Sequence, residues 1–159
     1  MAVKNIVVSV AGENGGISTV KYAIYLARLL SSKLTAIYVV NERILNELLV
    51  RKIFVEAEAH SYARDLEERS RRLLERVREM AHSKGVECET ILLKGAIHEE
   101  IINHTRAMKA DMLVMGELKE VLSLKEIFYD EGERIFREAP CPVVVVKNAA
   151  EVERLYKEL

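Results

Sequence analysis

Four histidines and two cysteines are the side chains from which nucleophilic or metal chemistry would be built. Nucleophilic catalysis needs a nucleophile beside a base, and a metal needs several ligands at workable spacing. His98 and His104 stand six residues apart on one predicted helix, so they point to different sides. His60 and His82 fall on a long charged helix at positions expected to be exposed. Cys141 lies in Pro140-Cys141-Pro142 at a strand start, with no second cysteine nearby for a redox pair. It reads as a small buried hydrophobe. With Cys88 it makes neither a disulfide framework nor a four-ligand zinc site. Glu99 and Glu100 open a helix and suit its dipole. No catalytic set emerges, and the expectation is a protein that is not an enzyme.

Glycine-rich turns are the other candidates, because backbone N–H groups there can cradle phosphate. The run Ala11-Gly12-Glu13-Asn14-Gly15-Gly16 has the wrong spacing for a Gly-x-Gly-x-x-Gly fingerprint. No Gly-x-x-x-x-Gly-Lys-Ser/Thr occurs anywhere in the chain. Positive backbone φ alone would account for such glycines.

The elements that must position these residues follow from periodicity. Asn5–Val10 is a short β-branched run, read as a buried strand. Ser18–Leu30 has helical spacing at Val20, Ala23, Ile24, Ala27 and Leu30, with Ser18 as the expected N-cap. Leu34–Val40 is a second strand and Val86–Leu93 contains a third. Ala96–Met108 reads helical, Asp111–Met115 is a fourth strand, Leu124–Arg137 is helical, Pro142–Val146 is a fifth strand, and Ala149–Leu159 is a short charged helix. Glu42–Lys84 lacks Gly and Pro, and forms one long helix or two with a bend. Its stripe of Leu66, Ser70, Leu73, Leu74, Val77 and Ala81 lasts about two heptads, short of the ~3–4 a coiled coil needs. An amphipathic helix packed on a sheet is the expectation.

Strands alternating with helices imply an α/β fold with a parallel sheet and right-handed crossovers. The strands are apolar through most of their length, as sheets covered on both faces require. Ligands bind such sheets at the carboxyl ends of strands, where strand order reverses. The loop after strand one and the loop beginning at Gly116 are therefore the candidate site.

The chain has 159 residues, a length suited to one domain. Its 24 Lys and Arg balance 25 Asp and Glu, which excludes a basic nucleic-acid binder held by its global field. No apolar run approaches the ~20 residues of a membrane span, and the N-terminus lacks a signal-peptide layout. A reducing cytoplasm is the expected compartment. Glutamine is absent and Glu supplies 22 of the 25 acids, a thermophile tendency.

Three stretches, taken together and in order, resemble the universal stress protein superfamily over Lys4 to Lys147. They are Val20-Lys21-Tyr22-Ala23-Ile24-Tyr25-Leu26-Ala27, then Gly95-Ala96-Ile97-His98-Glu99-Glu100-Ile101, then Ala110–Gly116 followed by Ala139–Val146. The resemblance implies a single domain at 1–147 with a helical extension at 148–159. It also implies a three-layer α/β/α fold, Rossmann-like and adenine nucleotide alpha hydrolase-like, with sheet order 3-2-1-4-5.

ATP-binding members of that family resemble one another in a motif after strand four: Gly, two residues, Gly, nine residues, Gly, then Ser or Thr. Here Gly116 keeps the first position, Lys119 stands at the second, and Tyr129-Asp130 replaces the Gly-Ser pair. Binders carry an Asp at the end of strand one, where this chain has Ala11 beside Gly12. Val39 matches the position whose backbone meets adenine, and Gly95 the turn after strand three. Between Gly116 and Glu133 six acids stand against two lysines. Like charges ~4 Å apart repel by about 1 kcal/mol even in water, and Tyr129 would fill space meant for a phosphate.

The resemblance with this degenerate motif implies a dimeric regulatory or interaction module in stress response, without ATP and without other cofactors. The alternative is a switch binding ATP or AMP with Mg²⁺, where Lys119 or Lys125 supplies charge. Family dimers pair the last strand, so Pro142–Val146 is the expected homodimer edge; the protein partners are unknown, and neither nucleic acid nor membrane is expected. The helix Ala149–Leu159 either caps that edge or is a solvated tail.

Overall fold

The structure is a computed structural model that describes residues 3–11, 15–52, 55–117 and 125–159, with backbone alone described at 15, 43–45, 48 and 125–130. The element order is β1 (Asn5–Val10), α1 (Gly15–Leu30), β2 (Lys33–Asn41), α2 (Glu42–Val50), α3 (Glu56–Ser83), β3 (Cys88–Gly95), α4 (Ile97–Ala107), β4 (Met112–Gly116), α5 (Lys125–Glu138), β5 (Val143–Val146) and α6 (Ala149–Lys157). The sheet has five strands in the order β3-β2-β1-β4-β5, as the resemblance implies. Every pairing is parallel.

Strand alternation decides what each face holds. Ile6, Val8 and Val10 of β1 join Val20, Ile24, Leu74 and Val77, beneath α1 and α3. Val7, Ile37, Val39, Leu113 and Met115 turn the other way, toward Ile101 of α4 and Ile135 of α5. The strand ends are held by an aspartate. Asp111 Oδ2 accepts the backbone N–H groups of Lys4 at 2.8 Å and Asn5 at 3.0 Å. Those bonds hold its carboxyl below the usual carboxylate range, the Asn5 N–H contributing most.

The segment Glu42–Lys84 is two helices, and the stripe on α3 faces the sheet as an amphipathic helix should. Ser70, Leu74, Val77 and Ala81 are buried. Gly85 (φ +74°) then reverses the chain, and Val86 N–H bonds back to Ala81 C=O at 2.9 Å. Two expectations need correction. Helix α1 begins at Gly15, so Ser18 lies inside its first turns and is not the cap. The last helix is no solvated tail: Val152 is 3% exposed and packs in the cluster that holds α1. Lys21 of α1 pairs with Glu153, and the Tyr156 ring lies between Lys21 Nζ (5.2 Å) and Lys84 Nζ (4.7 Å). Asn148, at φ +63°, caps α6 by accepting the Glu151 N–H. Among the described residues no helix is long and apolar enough to cross a membrane.

Candidate functional site

Strand order reverses between β1 and β4, because the chain leaves β1 for β2 on one side and leaves β4 for β5 on the other. The carboxyl ends there are Val10 and Gly116. Ala11 follows β1 and is exposed, so this corner presents a methyl group and no carboxylate. Val39 lies near the end of β2, 7% exposed and opposite Leu93 of β3. Gly95 ends β3 opposite Asn41, at φ +143°, a conformation open to glycine and strained for other residues. Ala11, Val39, Gly95 and Gly116 thus all stand at the carboxyl ends of neighbouring strands. Gly12 and Lys119 lie outside the described residues, as do the side chains of Tyr129 and Asp130, whose backbone is helical in α5.

Close packing accounts for two glycines of the crevice. A Cβ on Gly116 would sit 2.8 Å from Thr19 Oγ1, and a Cβ on Gly16 3.0 Å from the Ala11 carbonyl oxygen. Gly16 is helical, so close approach and not positive φ demands it.

Sequence reasoning missed a buried polar arrangement that joins α4 to α5. Glu131 of α5 is 3% exposed and turns inward, toward the first turn of α4. One carboxylate oxygen accepts the His98 backbone N–H at 2.7 Å and lies 2.6 Å from His98 Nδ1. Arg134 Nη1 lies 3.2 Å from His98 Nε2. A buried carboxylate is stable only with such partners, and here it also meets the positive end of a helix dipole. Glu131, counted in the sequence among the acids that would repel a phosphate after Gly116, is instead buried and bonded to α4. The signal was available: His98 shares its helical face with Ile101, Ile102 and Thr105, all buried, and a histidine on an apolar stripe needs a partner. His104, on another side, sits half-exposed with its Nδ1 3.2 Å from the Glu100 carbonyl oxygen. His60 and His82 are exposed, as expected.

An open cleft of about 580 Å³ lies beside the β3–α4 turn, between Gly95, Ala96 and the α2 residues Glu42, Asn46 and Arg51. A second, of about 920 Å³, separates α2 from the first turns of α3. Among the described residues no group of His, Cys, Asp and Glu could hold a metal ion. Burial pushes the Cys88 thiol up to about 11 and raises that of Cys141, so both are protonated at neutral pH.

A parallel sheet whose strand order reverses between β1 and β4, with helices on both faces, defines a doubly wound α/β protein. The sequence profile of the universal stress protein family matches residues 2–147, and the chain belongs to that family. A universal stress protein of Methanocaldococcus jannaschii is 30% identical over 145 residues, covering 91% of this chain and 82% of its own. Solved structures repeat the fold at lower identity. A universal stress family protein from Burkholderia pseudomallei superposes with a TM-score of 0.70 at 20% identity, covering 92% of this chain and 98% of its own. The universal stress protein of Archaeoglobus fulgidus, solved in complex with dAMP, gives 0.61 at 18% identity, with 92% and 100% covered.

Proposed function

We propose that the protein is a regulatory or interaction module of the stress response that works through partners, not catalysis, and does not grip ATP by a glycine cradle. One observation carries this reading. The stretch that would wrap a triphosphate leads into a helix whose second turn commits Glu131 to an internal bond with α4. Substitution at Lys119, Tyr129, Asp130 and Ala11 supports it. Calorimetry tests it: no heat is expected on titrating ATP, and micromolar binding overturns the reading. The chain lacks Trp, so absorbance at 260 nm from denatured protein gives an independent check for carried nucleotide.

A second reading is favoured by the crevice itself. Val39 and Gly116 keep the backbone frame, and the Archaeoglobus fulgidus relative holds an adenine nucleotide with a single phosphate. Under it AMP binds with its base against Val39, and Lys119 or Lys125 with Mg²⁺ answers the phosphate. Lys119→Glu would then abolish AMP binding; unchanged affinity counts against that role.

The module is a homodimer through β5. Four consecutive valines at a sheet margin invite strand pairing unless covered, and Val143, Val144 and Val145 are only half-buried in one chain.

A further inference from the structure

Glu131, His98 and Arg134 form a continuous chain of polar groups across the joint between α4 and α5, and donor chemistry fixes its protonation. A guanidinium only donates, so Nε2, 3.2 Å from Arg134 Nη1, is the acceptor. Nδ1, 2.6 Å from the Glu131 carboxylate, therefore carries the ring proton and donates it. The imidazole is neutral, and both of its nitrogens are engaged. A second proton can enter only at Nε2, and only by displacing Arg134.

We propose that this chain is a proton-operated latch between α4 and α5. With the ring neutral, α4 holds α5 at two points one turn apart, Glu131 and Arg134. Protonation of Nε2 releases Arg134 and leaves an imidazolium paired with Glu131 alone. The strands behind α4 offer Ile37, Val39, Leu93 and Met115 on this face. On α4 itself Glu99 is exposed and Glu100 lies against Gly95 and His104. On α5, Arg137 pairs with Glu133. Histidine is the side chain whose ordinary titration falls where cellular pH varies. Since α5 is the helix that follows β4 away from the crevice, the latch couples a proton to the seating of a helix beside that crevice. It holds whether or not a nucleotide binds there.

Ring ¹⁵N spectra of the full chain labelled at histidine test the latch. Near pH 8, His98 is expected as the Nδ1–H tautomer. Titration toward about pH 5 should protonate Nε2 and shift the α5 backbone amides around Arg134 and Ile135 with the same midpoint. Arg134→Met, at an exposed residue, should raise that midpoint, since it removes a neighbouring cation and the bond to Nε2. Arg134→Lys, which can still donate, should move it less. An Nε2–H tautomer near pH 8, α5 amides indifferent to the His98 titration, or an unmoved midpoint in Arg134→Met would each overturn the proposal. The first two readouts need only the unmodified chain, so they decide even if a variant fails to fold.

Discussion

Gly116 and Thr19 meet where α1 crosses the end of β4, and the 2.8 Å available to a methyl group there is less than any Cβ accepts. Gly116→Ala should lower unfolding free energy by ~1–3 kcal/mol, the range for overpacking a tight site. Thr19→Ala in the same chain should recover most of that loss, because the two atoms in conflict are then one. Denaturant melts of the single and double variants check it, and simple additivity would refute the clash. Asp111 adds a pH dependence. Its carboxyl titrates below the usual range because it accepts the Asn5 and Lys4 amides. Its contribution is thus complete above the unfolded value of ~3.9 and fades as pH falls through the lower folded value. Asp111→Asn should remove that component and flatten the acid limb of a stability-against-pH curve, leaving its slope near neutrality unchanged. Cys88, pushed up to about 11, has about one thiolate per thousand molecules at pH 8. Iodoacetamide should label it slowly in the folded protein and quickly in urea; equal rates would contradict its burial.

At the scale of elements, what was legible in sequence was what period and composition encode. Asn5–Val10 emerges with its bounds intact because a mostly β-branched run, broken only by the small Ser9 and ended by a glycine-rich turn, leaves little other choice. The first bend was harder. Nothing in Ser18 announces that α1 has begun three residues earlier, since Gly15 and Gly16 are poor helix formers held by the packing of Gly16 on the Ala11 carbonyl. The break between α2 and α3 has no Gly or Pro to mark it. Glu131 was illegible for another reason: in sequence it is one acid among six, and only the α4–α5 contact singles it out. Helix α6 was ambiguous because its apolar residues, Val152, Leu155, Tyr156 and Leu159, are few. In the fold Val152 and Tyr156, with Leu159 just past the helix, pack in the cluster that holds α1, so removal of residues 148–159 should lower the melting temperature by several degrees. Val152→Asp should do nearly as much by placing a charge at a 3% exposed site. Circular dichroism melts decide; an unchanged transition would mean α6 contributes nothing.

The whole molecule is a three-layer sandwich whose two apolar clusters are divided by the sheet. Strand β5 is one of the two margins of its sheet, β3 being the other. Light scattering at micromolar concentration should return twice the 18.1 kDa chain mass, and a monomer would remove the proposed homodimer. The sheet order carries a further consequence, for how the chain is made. Strand β1 sits at the centre of the sheet, yet the neighbour on one side, β4, is supplied by residues more than a hundred positions later; the Lys4–Asp111 bond spans 107. At ribosomal rates of ~5–20 residues per second, the first strand to emerge waits on the order of 5–20 s for that partner. Throughout that interval Ile6, Val7, Val8 and Val10 belong to an unfinished edge, so the nascent N-terminal half is the species a holding chaperone would meet, and translation speed through α3 and α4 sets how long it must be held.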